Sequence, residues 1–348
     1  MVTPRRRERV WPWAVGLLAV ILVALAFIVP VPRYLEGPGS TRNTVDLVTV
    51  RGHESFDSDG AILYLTVSQR RATVASLIGA ALSANVEVRT PEEVSPSGDR
   101  RQDRQLEQAQ MDRSKLTALI VAFDVLGLPL TVTGEGAFVQ YVEPDSPAAA
   151  VIEAGDVIVG VEGVGVTTSS ELRDKLAGKA PGEVVTVTRT RGETTEDIAV
   201  ELIPAEDDAT RGILGVVIQT YNESVDTGFS VELDSGKVIG PSAGLAWTLG
   251  IIDRLTPGEL SGGRTVAVTG TIDSSGEVGA VGGVDKKVLA AIRDGATLFL
   301  YPASTSDESL QKMRAAAGDK IEMHPVSTVY EALDYLDTSG IEGIDSQK

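Results

Sequence analysis

Cysteine is absent from the 348 residues and histidine occurs only twice, at His53 and His324. Thiol nucleophiles, thiolate metal sites and HExxH zinc chemistry are therefore excluded, and a Ser-His-Asp triad has little to draw on. What can still do chemistry is a serine and a lysine. Gly240-Pro241-Ser242-Ala243-Gly244 opens onto an apolar run containing Leu245, Ala246, Leu249 and Ile252. Proline suits the first turn of a helix, so Ser242 stands where unpartnered amides and the positive dipole end converge, ready to hold an oxyanion. The flanking glycines leave room for a substrate backbone. The same residues also read as a plain serine N-cap.

Forty-five residues on, Gly282-Gly283-Val284-Asp285-Lys286-Lys287-Val288 reads as a glycine turn entering an amphipathic helix. At about 100° per residue, Val284, Val288, Ala291 and Ile292 share one face, and Lys287 falls about 40° from Ala291 at its border. A lysine there is partly desolvated, so its pKa falls and its neutral amine can take a serine proton. Without a partner serine it is a snorkelling side chain. Lys286 projects beside Arg293 and reads as a solvated charge.

These residues need elements to hold them. Runs at 44–50 and 61–67 read as strands, 72–84 as a short helix, and 106–126 as a longer helix entered from an exposed polar connection. From 127 to 204 short strands (138–142, 157–161, 184–190, 198–202) surround one helix at 169–176. The polar stretch 204–211 reads as a linker. Strands at 214–219, 229–233, 264–269 and 297–301 then alternate with helices near 242–255, 284–294 and 326–336. The pattern predicts an α+β multidomain chain. No G-x-x-x-x-G-K-[ST] occurs, and no cofactor or metal is implied.

The formal charge is −18, with +4 on residues 1–33 and −22 on the remainder, which argues against nucleic-acid partners. Trp11 to Val31 is a 21-residue uncharged stretch behind Arg5, Arg6, Arg7 and Arg9. It predicts a transmembrane helix, a single-pass cell-membrane protein with a cytoplasmic N-terminus and an extracytoplasmic body. A cleaved signal is the alternative, but Val29-Pro30-Val31-Pro32-Arg33 suits cleavage poorly.

Ser146-Pro147-Ala148-Ala149, Ala154-Gly155-Asp156-Val157-Ile158, Pro181-Gly182 and Arg189 resemble the PDZ domains of bacterial envelope proteases over about residues 125–203. The resemblance implies capture of an extended peptide C-terminus at a sheet edge, with Leu126-Gly127-Leu128 as the carboxylate loop. The segments GPSAG, TVAVTGTID, GAVGGVDKKVLAAIRDGATLFLYP and MHPVSTVYEAL resemble, in that order, the proteolytic domain of Lon proteases. That likeness implies a Ser242 nucleophile, a Lys287 general base and a supporting Thr269, with Gly240 and Pro241 shaping the turn; His324 is then structural. It also implies polypeptide substrates and homo-oligomeric rings. Lys237-Val238-Ile239 stands where Lon proteins carry an acidic residue. The combination resembles membrane-bound, PDZ-containing, ATPase-free Lon-like serine proteases of Gram-positive bacteria, actinobacteria especially. The expected division is 1–33 tail and transmembrane helix, 34–124 an α/β segment, 125–204 PDZ, 205–340 protease and 341–348 tail. Strands within 44–67 would be the first pair of the protease domain, with the PDZ module inserted after them. A PDZ adaptor on a non-catalytic scaffold is the rival reading.

Overall fold

The computed structural model describes residues 11–341 apart from Ala84, Asp207 and Lys237; the expected N-terminal tail and all but Ile341 of the C-terminal tail lie outside the described residues. The chain divides into two units, one of residues 1–128 and 229–348, the other of residues 129–228. In chain order the helices are α1 (Trp11–Ile28), α2 (Val74–Ala81), α3 (Pro91–Val94), α4 (Arg100–Val125), α5 (Ser169–Leu176), α6 (Gly244–Leu255), α7 (Val284–Arg293), α8 (Asp307–Ala317) and α9 (Val329–Leu333).

The first unit is built on a six-stranded mixed sheet. Its strand order is 322–326, 298–302, 265–268, 61–73, 30–43, 87–89. The first four run parallel, and the long strand Pro30–Asn43 is antiparallel to both of its neighbours. Residues 30–39 are strand despite their prolines and glycines. Register shifts near Pro30 and Pro38 absorb the residues that cannot donate to the ladder.

The 21-residue span expected from Trp11 to Val31 is shorter in the structure. Helix α1 ends at Ile28, because Pro30 already pairs with Thr73. Eighteen residues rise about 27 Å, against a hydrocarbon core of about 30 Å. No helix among the described residues is long and apolar enough to cross a membrane.

Helix α4 starts at Arg100, six residues before the apolar pattern, since Asp99 caps it by accepting from the Arg101 amide. The turns entering α6 and α7 require glycine. A Cβ on Gly244 would lie 2.9 Å from the Ile272 amide nitrogen, and Gly283 has φ +67° against the Val67 side chain.

The second unit is a β-rich module around Val139, Ile158, Leu172, Val187 and Leu202. Its sheet runs 194–201, 184–191, 157–161, 137–142, 216–220. The compact unit runs on past residue 204, where the PDZ module was expected to end, as far as Gly228. Strand Val216–Thr220 pairs with Ala137–Val142, and Ser224–Asp226 pairs with Thr131–Thr133. The polar stretch taken for a linker is a reversal: Ile203 pairs with Ile213, and Asp208 accepts from Thr210.

Candidate active site

Ser242 lies in a 3-10 turn, Pro241–Ala243, directly before α6, and α6 is buried along nearly its whole length. Helix α4 fixes that turn. The Gly240 amide donates to the Glu107 carbonyl at 3.1 Å, and Ser114 Oγ donates to the Pro241 carbonyl at 3.1 Å. On the other side, Gly270 N donates to the Ser242 carbonyl at 3.1 Å. The Ser242 backbone is thus held from a helix and a strand end. Ser114 and Glu107 went unnoticed in the sequence, where nothing pairs them with a residue more than 120 positions away.

Lys287 reaches this turn from α7. Its Nζ lies 2.9 Å from Ser242 Oγ and 2.9 Å from Thr269 Oγ1. Thr269 Oγ1 in turn donates to the Ser242 carbonyl at 3.3 Å. Because that spends the single threonine proton, Thr269 can only accept from the lysine, and the amine lone pair is left for the serine hydroxyl. Lys287 is 3% exposed, and burial lowers its pKa to about 8. An ammonium loses hydration there without gaining a carboxylate, so the neutral base is favoured. Ser242 and Lys287 border a cleft of about 780 Å³, whose walls include Thr66, Met111, Val238, Ile239 and Gly283, while Thr269 is buried behind them.

Lys286 is not the solvated charge its wheel position suggests. Its side chain is buried and paired with Asp285 and, at 3.4 Å, with Glu87 on strand Glu87–Arg89. The polar side of α7 at this turn meets those carboxylates rather than water. His324 stacks on Tyr335 with ring centres 4.0 Å apart and pairs with Glu322. His53 is exposed and stacks on Phe229.

Leu126, Gly127 and Leu128 do not form a carboxylate loop. They close α4, their amides donating to the carbonyls of Ala122, Asp124 and Phe123, so none is left for a ligand. In the second unit a groove of about 390 Å³ instead runs between α5 and the edge strand Val216–Thr220, with Leu172, Leu176, Ile213, Leu214, Val216 and Ile218 in its walls. The segment Gly212-Ile213-Leu214-Gly215 leads into that strand. Two glycines before an alternating apolar run were the available sequence signal.

Comparison with known proteins places residues 124–202 on the family model of the PDZ domain and residues 229–337 on that of the Lon protease (S16) C-terminal proteolytic domain. Relatives named Lon protease include those of Neorickettsia sennetsu (36% identical over 28% of this chain and 11% of the relative), Frankia alni (35%, over 31% and 12%) and Helicobacter pylori (30%, over 40% and 16%). The chain thus spans less than a fifth of the length of each. Among solved structures, the PDZ domain of an SdrC-like protein from Listeria monocytogenes is 28% identical, with 25% of this chain and 92% of that one covered and a TM-score of 0.23. The chain carries a PDZ domain and a Lon-type proteolytic domain, the latter that of a serine peptidase.

Proposed function

We propose that the chain is a serine endopeptidase in which Ser242 is the nucleophile and Lys287 the general base. The observation that carries this reading is the 2.9 Å contact between Lys287 Nζ and Ser242 Oγ, bordering an open cleft. Neutral Lys287 takes the Ser242 proton as Oγ attacks a peptide carbonyl. The ammonium then returns that proton to the departing amine, leaving an acyl-enzyme. Lys287, neutral again, deprotonates the water that resolves the ester. Thr269 holds the amine in line throughout. The Gly240, Gly244 and Leu245 amides already donate to the carbonyls of Glu107, Pro241 and Gly270, so the oxyanion is assigned to the amides of Ser242 and Ala243 in the turn itself.

The substrates are flexible or unfolded polypeptide segments, and no nucleotide is needed, since the sequence holds no phosphate loop of the Walker type. The groove beside strand Val216–Thr220 adds the substrate's extended C-terminus to the sheet edge. Helix α1 tethers the chain to a membrane, with the body outside the cytoplasm. Its support is that the helix carries no charged residue and exposes large apolar side chains, including Leu22, Val23 and Phe27. A bilayer accommodates a slightly short helix by local thinning. Ring assembly rests on the Lon likeness alone, and sedimentation velocity reads it.

The test is cleavage of casein by the full chain without nucleotide, comparing wild type with Ser242→Ala and Lys287→Ala. Cleavage abolished in both variants is the expected result. An inert wild type that still binds a C-terminal peptide overturns catalysis in favour of an adaptor.

A further inference from the structure

Helix α2 shows water the side chains that a surface helix normally hides. Its inner face packs Leu77 and Ala80 against Val31, Leu35 and Val86. On its outer face stand Val74, Ile78 and Leu82, at 46%, 62% and 87% exposure. Spaced four apart, they form one continuous stripe down the helix and its C-cap. No charged residue occurs from Ala72 to Val86. A solvated helix places charges on that outer face, and this one places aliphatic side chains.

Its position tells what covers the stripe. Pro30, just after the end of α1, pairs with Thr73, the N-cap of α2, and the two helices touch. The exposed stripe is therefore continuous with the exposed apolar surface of α1. Arg33, Arg70 and Arg71 are all exposed at the same end of the sheet, where Tyr34 pairs with Arg71 and Leu35 with Arg70. Arg70 and Arg71 beside an apolar stripe stand out in a body whose residues after 33 sum to −22, and Arg33, the last residue of the basic N-terminal segment, joins them with Glu92 as its nearby carboxylate. Apolar side chains flanked by arginines match the acyl boundary and headgroups of an anionic leaflet.

We propose that α2 is a membrane-docking helix. It lies in the interface of the leaflet that α1 enters, with Val74, Ile78 and Leu82 in the acyl boundary and Arg33, Arg70 and Arg71 on anionic headgroups. The α1 tether alone leaves the body free to tilt on one connection; a second contact beside it sets which way the first unit faces the bilayer. This inference rests on α1 as the anchor, and the experiment separates the two.

The absence of cysteine makes single-site labelling clean. Full-length Leu82→Cys and, as a solvent-exposed control, Asp319→Cys are labelled with an environment-sensitive fluorophore. Both are reconstituted into phosphatidylcholine–phosphatidylglycerol vesicles with and without a shallow nitroxide lipid. The nitroxide should quench the label at 82 at least about threefold more than the label at 319. Replacing Arg70 and Arg71 by Glu should reduce that difference. Protein that floats with the vesicles while both labels stay equally unquenched overturns the docking helix and leaves the anchor standing. A label at 82 shielded from water but not quenched by lipid gives the stripe to a second copy of the chain, which also overturns it. Failure to float with the vesicles overturns the anchor reading and this inference together.

Discussion

Replacing Lys287 by Met should abolish cleavage and, at neutral pH, make the protein more stable. Burial holds the Lys287 amine at about 8, whereas an unhindered lysine titrates at 10.5. Between those values the unfolded chain binds a proton that the folded chain does not, so wild-type stability rises with pH across that window and the full penalty is present below it. The gap corresponds to on the order of 3 kcal/mol at pH 7. Against it stand the two hydrogen bonds from Nζ to Ser242 and Thr269, each worth about 1 kcal/mol. Methionine fills a similar volume and carries no charge. The variant should therefore gain roughly 1 to 2 kcal/mol at pH 7, from the difference of those two figures. Its advantage should shrink above pH 8 by about 1.4 kcal/mol per pH unit, vanish near about pH 9 and be fully reversed by 10.5, where the unfolded wild type no longer binds the extra proton and the folded one keeps both hydrogen bonds. Urea unfolding followed through Trp247, which is fully buried in α6, measures the difference at each pH. A Lys287→Met variant that is less stable at pH 7, or whose difference from wild type does not change with pH, refutes a desolvated amine as the base.

If the neutral amine is the base, kcat/KM should rise about tenfold per pH unit below 8 and level off above it, as read from a pH–rate profile. Thr269→Val removes the acceptor that aims the amine and should lower kcat about 10- to 100-fold, whereas Thr269→Ser should stay within a few fold of wild type in the same peptide assay. The neighbouring lysine should respond in the opposite sense to Lys287: Lys286→Met breaks the pairs with Asp285 and Glu87, costing about 1 to 3 kcal/mol in urea unfolding, and cleavage should change little.

The contrast between those two lysines shows what the sequence can carry. Backbone geometry alone sets the 3.6-residue period, so the border position of Lys287 on α7 was readable from Val284, Val288 and Ala291. The surroundings of Lys286 were not. The same wheel places it on the polar side, but strand Glu87–Arg89 brings a carboxylate to that side from 199 residues earlier, a pairing with no local trace. Distance in sequence hid the last strands of the second unit in the same way. Val216–Thr220 alternates like any strand, and only its partner, Ala137–Val142, reveals which sheet it completes. A linker and a tight reversal also share a composition, so residues 204–211 suited either until Ile203 met Ile213. At the candidate site the division falls between the groups proposed to react and the groups that hold them. Ser242 lies between Gly240 and Gly244, and Lys287 follows Gly283 by about one helical turn, so each stands near a glycine turn that a sequence displays. Ser114 lies in the middle of a helix with an ordinary surface pattern, and its hold on the Pro241 carbonyl depends on how α4 packs against α6. Such support comes from tertiary packing, which local propensity and periodicity do not encode.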